Sequence, residues 1–79
     1  MEKELLADWF KQKLSEELGT SKNEISLESP IASYRLDSLS SISLTQDLED
    51  LVGFYIEPNI FSEFETIDDV IEWILQKEK

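Results

Sequence analysis

With 79 residues, 41% hydrophobic and 32% charged, the chain has the balance of one small folded domain rather than a disordered segment, and is short for a large enzyme active site. Eighteen Asp and Glu against seven Lys and Arg leave a net charge of −11, which repels phosphate backbones and anionic lipid heads and favours partners with basic patches. Without cysteine or histidine there are no disulfides, no thiolate zinc site and no imidazole base, so any thiol chemistry must use an imported sulfur.

The start, Met1-Glu2-Lys3-Glu4, lacks the basic region and apolar run of a signal peptide, and no apolar stretch is long enough to span a bilayer; a cytoplasmic location is expected. Leu6, Phe10, Leu14 and Leu18 recur every fourth residue, with Leu5 and Trp9 beside them, which predicts an amphipathic helix I over Lys3 to Leu18. Gly19 follows at the position where a helix commonly turns left-handed to stop. From Thr20 to Leu36 the long period disappears and Pro30 discourages regular pairing, so this stretch reads as a long ordered loop. Within it, Ser21 and Glu24 have the spacing of a capping box around one short turn.

After Asp37 the residues Leu39, Ile42, Leu44, Leu48, Leu51 and Val52 repeat at three and four until Gly53, which predicts helix II with Asp37 or Ser38 at its cap. Pro58 suits the first position of a brief helix III, with Ile60, Phe61 and Phe64 as its apolar contacts. Thr66 and Asp69 are spaced as a capping box, and Ile67, Val70, Ile71, Ile74 and Leu75 give the stripe of helix IV. The expected architecture is all-α: a small four-helix bundle with a long loop between helices I and II and a short helix III, forming one domain over residues 1–79. The aromatic residues Trp9, Phe10, Phe54, Phe61, Phe64 and Trp73 are expected mainly in its core.

The chemistry concentrates at Asp37-Ser38-Leu39. A serine oxygen at a helix N-terminus stands near free N–H groups and a dipole that favours negative charge. Taken alone, the tripeptide is more often a plain helix cap. Its frame changes the reading: a first helix ending in Leu18-Gly19, Ile25 in the loop, then Tyr34-Arg35-Leu36-Asp37-Ser38-Leu39, followed by Ile42, Leu44, Leu48, Glu49 and Gly53. In this order the chain resembles the acyl carrier protein family over nearly its whole length. The stretch from Pro58 to Ile74 leans toward the carrier domains of modular polyketide synthases.

The resemblance implies that 4′-phosphopantetheine from coenzyme A is attached to Ser38 by a phosphopantetheinyl transferase, and that the protein catalyses nothing itself. Asp37 would position and help recognise the site, and Leu39 would pack the helix start. Acyl-loading and ketosynthase-type enzymes of fatty acid or polyketide biosynthesis would dock on helix II, steered by Asp47, Glu49 and Asp50. Each of these acids alone is more often just a solvated surface residue. Ser40, Ser41 and Ser43 fall outside the motif. A monomer is expected, with no metal site.

Arg35 departs from the family, which commonly has glycine just before Leu-Asp-Ser. Glycine there allows a backbone angle that arginine reaches only at a cost, and Arg35 would instead serve as a cation near the phosphate or toward partners. Two rival readings stay open: a peptidyl carrier loaded by an adenylation enzyme, and an unmodified module that binds a partner through its acidic helix. A catalytic reading finds no phosphate loop, metal spacing or base.

Overall fold

The structure, a computed structural model, describes residues 2–78; Met1 and Lys79, the two ends of the expected domain, lie outside them. Four α-helices follow one another: α1 (Lys3–Leu18), α2 (Ser38–Val52), α3 (Ile60–Glu63) and α4 (Ile67–Lys77). Between α1 and α2 lie two 3₁₀ turns, Lys22–Glu24 and Ile31–Tyr34. The all-α bundle with a long first loop and a short α3 is as the hydrophobic periods require.

The core is built from one stripe of each helix. Leu6, Phe10 and Leu14 of α1 meet Ile67, Val70, Ile71 and Ile74 of α4, with Leu44 and Leu48 of α2 and Ile60 and Phe61 of α3 completing it. The long loop contributes Ile25, Leu27 and Ile31, so it is packed by its own apolar residues. Backbone bonds tie it down: the Ile31 N–H donates to Glu65 O at 2.7 Å and the Asp68 N–H to Leu27 O at 3.1 Å. Phe10 and Phe61 meet edge-on with centroids 6.3 Å apart, while Phe54 and Phe64 flank Trp73. Most of the aromatic side chains are thus spent on packing.

Several local expectations need correction. Ser21 precedes its turn but makes no side-chain cap; the Glu24 N–H donates instead to the Ser21 carbonyl, so the turn closes through backbone alone. Only half of the second capping box forms: Thr66 Oγ1 accepts from the Asp69 N–H at 3.1 Å. Pro58 does not begin α3. It stands two residues earlier, in the turn closed by the Ile60 N–H on Glu57 O, where its fixed φ serves equally well. Pro30, read as averse to pairing, forms an isolated antiparallel bridge with Thr66, which its missing N–H does not prevent because Ile31 supplies the donor.

Gly19 and Gly53 close α1 and α2 with φ of 70° and 81°. The one other left-handed residue among those described is Arg35, at φ 54°.

Candidate functional site

Asp37 and Ser38 lie at the junction of the second 3₁₀ turn and α2. Asp37 is the cap: its Oδ1 accepts from the Ser40 N–H at 2.7 Å, and its carbonyl takes the first helical bond, from Ser41 at 3.0 Å. The Ser40 amide, reinforced by the Ser40 hydroxyl, holds the Asp37 carboxyl below the usual carboxylate range. Ser38 is then the first residue of α2. It is exposed, and its hydroxyl has no hydrogen-bond partner among the described residues. A groove of about 770 Å³ runs beside it, with Ile31, Leu36, Ile42, Phe61 and Phe64 among its apolar lining.

The remaining residues singled out from sequence fare differently. Leu39 does not pack the helix start: it is 79% exposed, because its position on α2 faces away from the core stripe of Leu44 and Leu48. With Ile42, 43% exposed, it forms an apolar ledge next to Ser38. Asp47 is engaged by Lys13 of α1 at 3.5 Å. Glu49 is half-buried, and its Oε1 accepts from the N–H of the fully buried Ile56 at 3.1 Å, so this acid holds the chain where it leaves α2. Asp50 is exposed with no partner among the described residues.

Arg35 closes the second 3₁₀ turn, its N–H on Ala32 O at 3.3 Å. The left-handed angle that glycine would take freely is therefore kept, and the arginine bears a cost of roughly 1–2 kcal/mol for it. Arg35 lines the groove together with Asp37 and Ser38. The sequence reading missed the α3 wall of this groove. The signal was present in Ile60-Phe61 after Pro58, but α3 reads by itself only as packing.

An exposed, unbonded hydroxyl heading a capped helix on a small helical bundle is the arrangement a carrier-type domain needs for an attached arm. The family described as phosphopantetheine attachment site matches residues 8–74, and the chain belongs to this family of carrier domains. Its members bear covalent 4′-phosphopantetheine and shuttle acyl or peptidyl thioesters to partner enzymes, without catalysing a step themselves. The chain is 27% identical over 70 residues to polyketide synthase PksL of Bacillus subtilis (strain 168), a match covering 89% of this chain and 2% of that protein. A solved structure, the free-standing peptidyl carrier protein from an uncharacterized secondary metabolic pathway of Acinetobacter baumannii, superposes with a TM-score of 0.89. It is 24% identical, and the similarity covers 99% of this chain and 98% of that one, so the fold is shared throughout. Among the described residues no helix is long and apolar enough to cross a membrane, and no cluster of acids could hold a metal ion.

Proposed function

We propose that this chain is a single carrier domain modified on Ser38, and that it presents aminoacyl or peptidyl thioesters to the enzymes of a biosynthetic pathway in the cytoplasm. The observation that carries the reading is the free Ser38 hydroxyl at the first position of α2, open to solvent beside the groove. The residues fit the group. A phosphodiester there would lie outside the packed core and at the positive end of the α2 dipole, and the arm would leave along a surface with apolar walls.

Bound phosphopantetheine supplies a thiol at the end of a flexible arm. The chain's own part is to present and to orient. Ser38 supplies the oxygen that bonds to phosphorus as the phosphoanhydride bond of coenzyme A breaks and adenosine 3′,5′-bisphosphate leaves. With no histidine in the chain, the hydroxyl proton passes to a base of the transferase. Asp37 fixes the helix end on which that oxygen stands. The Leu39–Ile42 ledge offers apolar contact to a docking enzyme, and Asp50 offers a charge not already engaged. Asp47 and Glu49 add negative potential while holding internal contacts. The transferase and a loading enzyme of the adenylating kind are the partners this reading requires, and the carrier works as a monomer.

The peptidyl cargo is favoured by the likeness along nearly the whole length of a free-standing peptidyl carrier. A second reading, acyl or polyketide cargo delivered by acyl-loading and ketosynthase-type enzymes, is favoured by the identity to a polyketide synthase. The test is intact mass after incubation with coenzyme A and a broad-specificity transferase. The native chain should gain one phosphopantetheine, and Ser38→Ala should gain none while keeping its stability within about 0.5 kcal/mol. An unmodified native chain would leave a carrier fold acting as an interaction module. Loading trials with amino acids and adenylating enzymes, against acyl donors, then separate the cargoes.

A further inference from the structure

Between residues 23 and 76 the chain has a single cation, Arg35, in a stretch otherwise rich in Asp and Glu. The other described cations are largely engaged: Lys3 with Glu72, Lys13 with Asp47 and across the Trp9 ring, Lys22 with Asp8, and Lys77 over the Trp73 ring. Arg35 has no ion pair or side-chain hydrogen bond among the described residues. It lines the groove that holds Ser38, and no other Lys or Arg does, whereas Asp37 and Glu65 place two carboxylates there. It also sits at a backbone angle where glycine would be unstrained. An arginine with an uncommitted guanidinium thus lines a net acidic groove at a conformational cost.

We propose that Arg35 is a positioning residue for the phosphodiester formed on Ser38. The inference rests on the modification of Ser38 proposed above. Modification adds a negative charge beside the ionised Asp37, in a groove whose acids already outnumber its one cation. Arg35 answers that charge. Its guanidinium donates charge-assisted hydrogen bonds to the non-bridging phosphate oxygens, as its planar fork suits it to do. The phosphate is held toward the groove, so the arm starts along the Phe61 and Phe64 wall instead of swinging freely about the Ser38 side chain. An ammonium at this position would supply a point charge with less directional hold.

The experiment uses the full chain, modified with coenzyme A and transferase, as native protein and as Arg35→Lys, Arg35→Gln and Arg35→Gly. Intact mass comes first, because absence of modification in the native chain overturns the reading on which the inference rests. Circular dichroism of each variant establishes its fold; Arg35→Gly, unstrained at this angle, guards against misreading a folding defect as a lost contact. The readout is the ³¹P resonance of the phosphodiester, together with the Arg35 Nε–H resonance before and after modification. In the native protein the Nε–H signal should shift on modification, and the ³¹P line should be displaced and broadened relative to Arg35→Gln and Arg35→Gly, which should coincide with each other. Arg35→Lys should fall between. The native displacement should be largely lost in 1 M salt, where the screening length falls to about 3 Å. Superimposable ³¹P spectra for fully modified native and Arg35→Gln protein would overturn the proposal. So would a slower modification of the variants with unchanged spectra, which would assign Arg35 to the transferase encounter.

Discussion

The two halves of α2 are built to opposite rules although they belong to one uninterrupted helix. Its second half is anchored: Leu44, Thr45 and Leu48 are buried, Glu49 holds the Ile56 amide, and Gly53 turns the chain away. Its first half carries Ser38, Leu39, Ser40, Ser41, Ile42 and Ser43, none of them buried, with the Asp37 cap to seat it. The anchored half keeps the helix in place, and that frees the other half to face solvent and partners with a hydroxyl and an apolar ledge. A site of this kind costs the fold little, because none of its side chains is needed for packing.

The sharpest way to break this division is to truncate the same residue type in each half. Leu48→Ala removes a fully buried side chain and should cost about 2–5 kcal/mol, a large share of the ~5–15 kcal/mol that holds a typical domain. Leu39→Ala, nine residues earlier, should change stability by less than about 0.5 kcal/mol. Urea unfolding of both, with the slope checked for constancy, gives the comparison. Equal losses would mean that the first half is packed after all.

A smaller contrast lies within the acids. Glu49→Ala leaves the buried Ile56 N–H without its acceptor and should cost about 1–3 kcal/mol, whereas Asp50→Ala, at the next residue, should be neutral in the free protein. Binding to a docking enzyme should reverse their order, with Asp50→Ala the more damaging relative to its effect on stability. Surface plasmon resonance alongside unfolding curves would show whether the fold and the docking surface draw on separate carboxylates.

The anchored half was legible in the sequence because burial writes a period into the residues. The stripes of α1, α2 and α4 gave the bundle, and Gly19 and Gly53 marked the ends that the backbone then showed. Position 38 was legible for another reason, the order of motifs around it. The rest depended on through-space pairing that no spacing encodes. Leu39 fits the apolar count of its helix but falls outside the buried stripe. Glu49 reads as a surface acid until the chain after Gly53 folds back and presents the Ile56 amide. The groove needs α3 brought to the same surface as the start of α2, and Ile60-Phe61 signals only that something apolar is packed there.

The left-handed positions extend the comparison to the backbone. Gly53→Ala should destabilise by up to about 1.5 kcal/mol, the positive-φ penalty of ~1–2 kcal/mol less the ~0.4–1 kcal/mol of freedom removed from the unfolded chain, since no neighbour lies close enough to crowd an added methyl. Arg35→Gly should have the opposite sign. Relief of the same penalty at least matches the ~0.4–1 kcal/mol of freedom that glycine returns to the unfolded chain, leaving a gain of up to about 1.5 kcal/mol before modification. Thermal unfolding of the two variants side by side tests the pair. A loss of stability in Arg35→Gly would mean that arginine is packed into the turn, and its backbone cost would no longer point to a functional role.

The smallest effect concerns the cap that seats the exposed half. The Asp37 carboxyl titrates lower in the fold than in the unfolded chain, because the Ser40 amide favours its ionised form. Its contribution is therefore complete above the ordinary carboxylate value of ~3.9 and is lost as the pH falls through the lower folded value. Asp37→Asn keeps an acceptor for the Ser40 N–H but carries no charge. The native protein should melt a few degrees above this variant, by a margin that is flat between about pH 7 and 5 and closes only at more acidic pH. A margin that stayed constant down to the acid limit would show that the charge on Asp37 does not seat the helix end. The first half of α2 would then be held in place by its continuity with the anchored half alone.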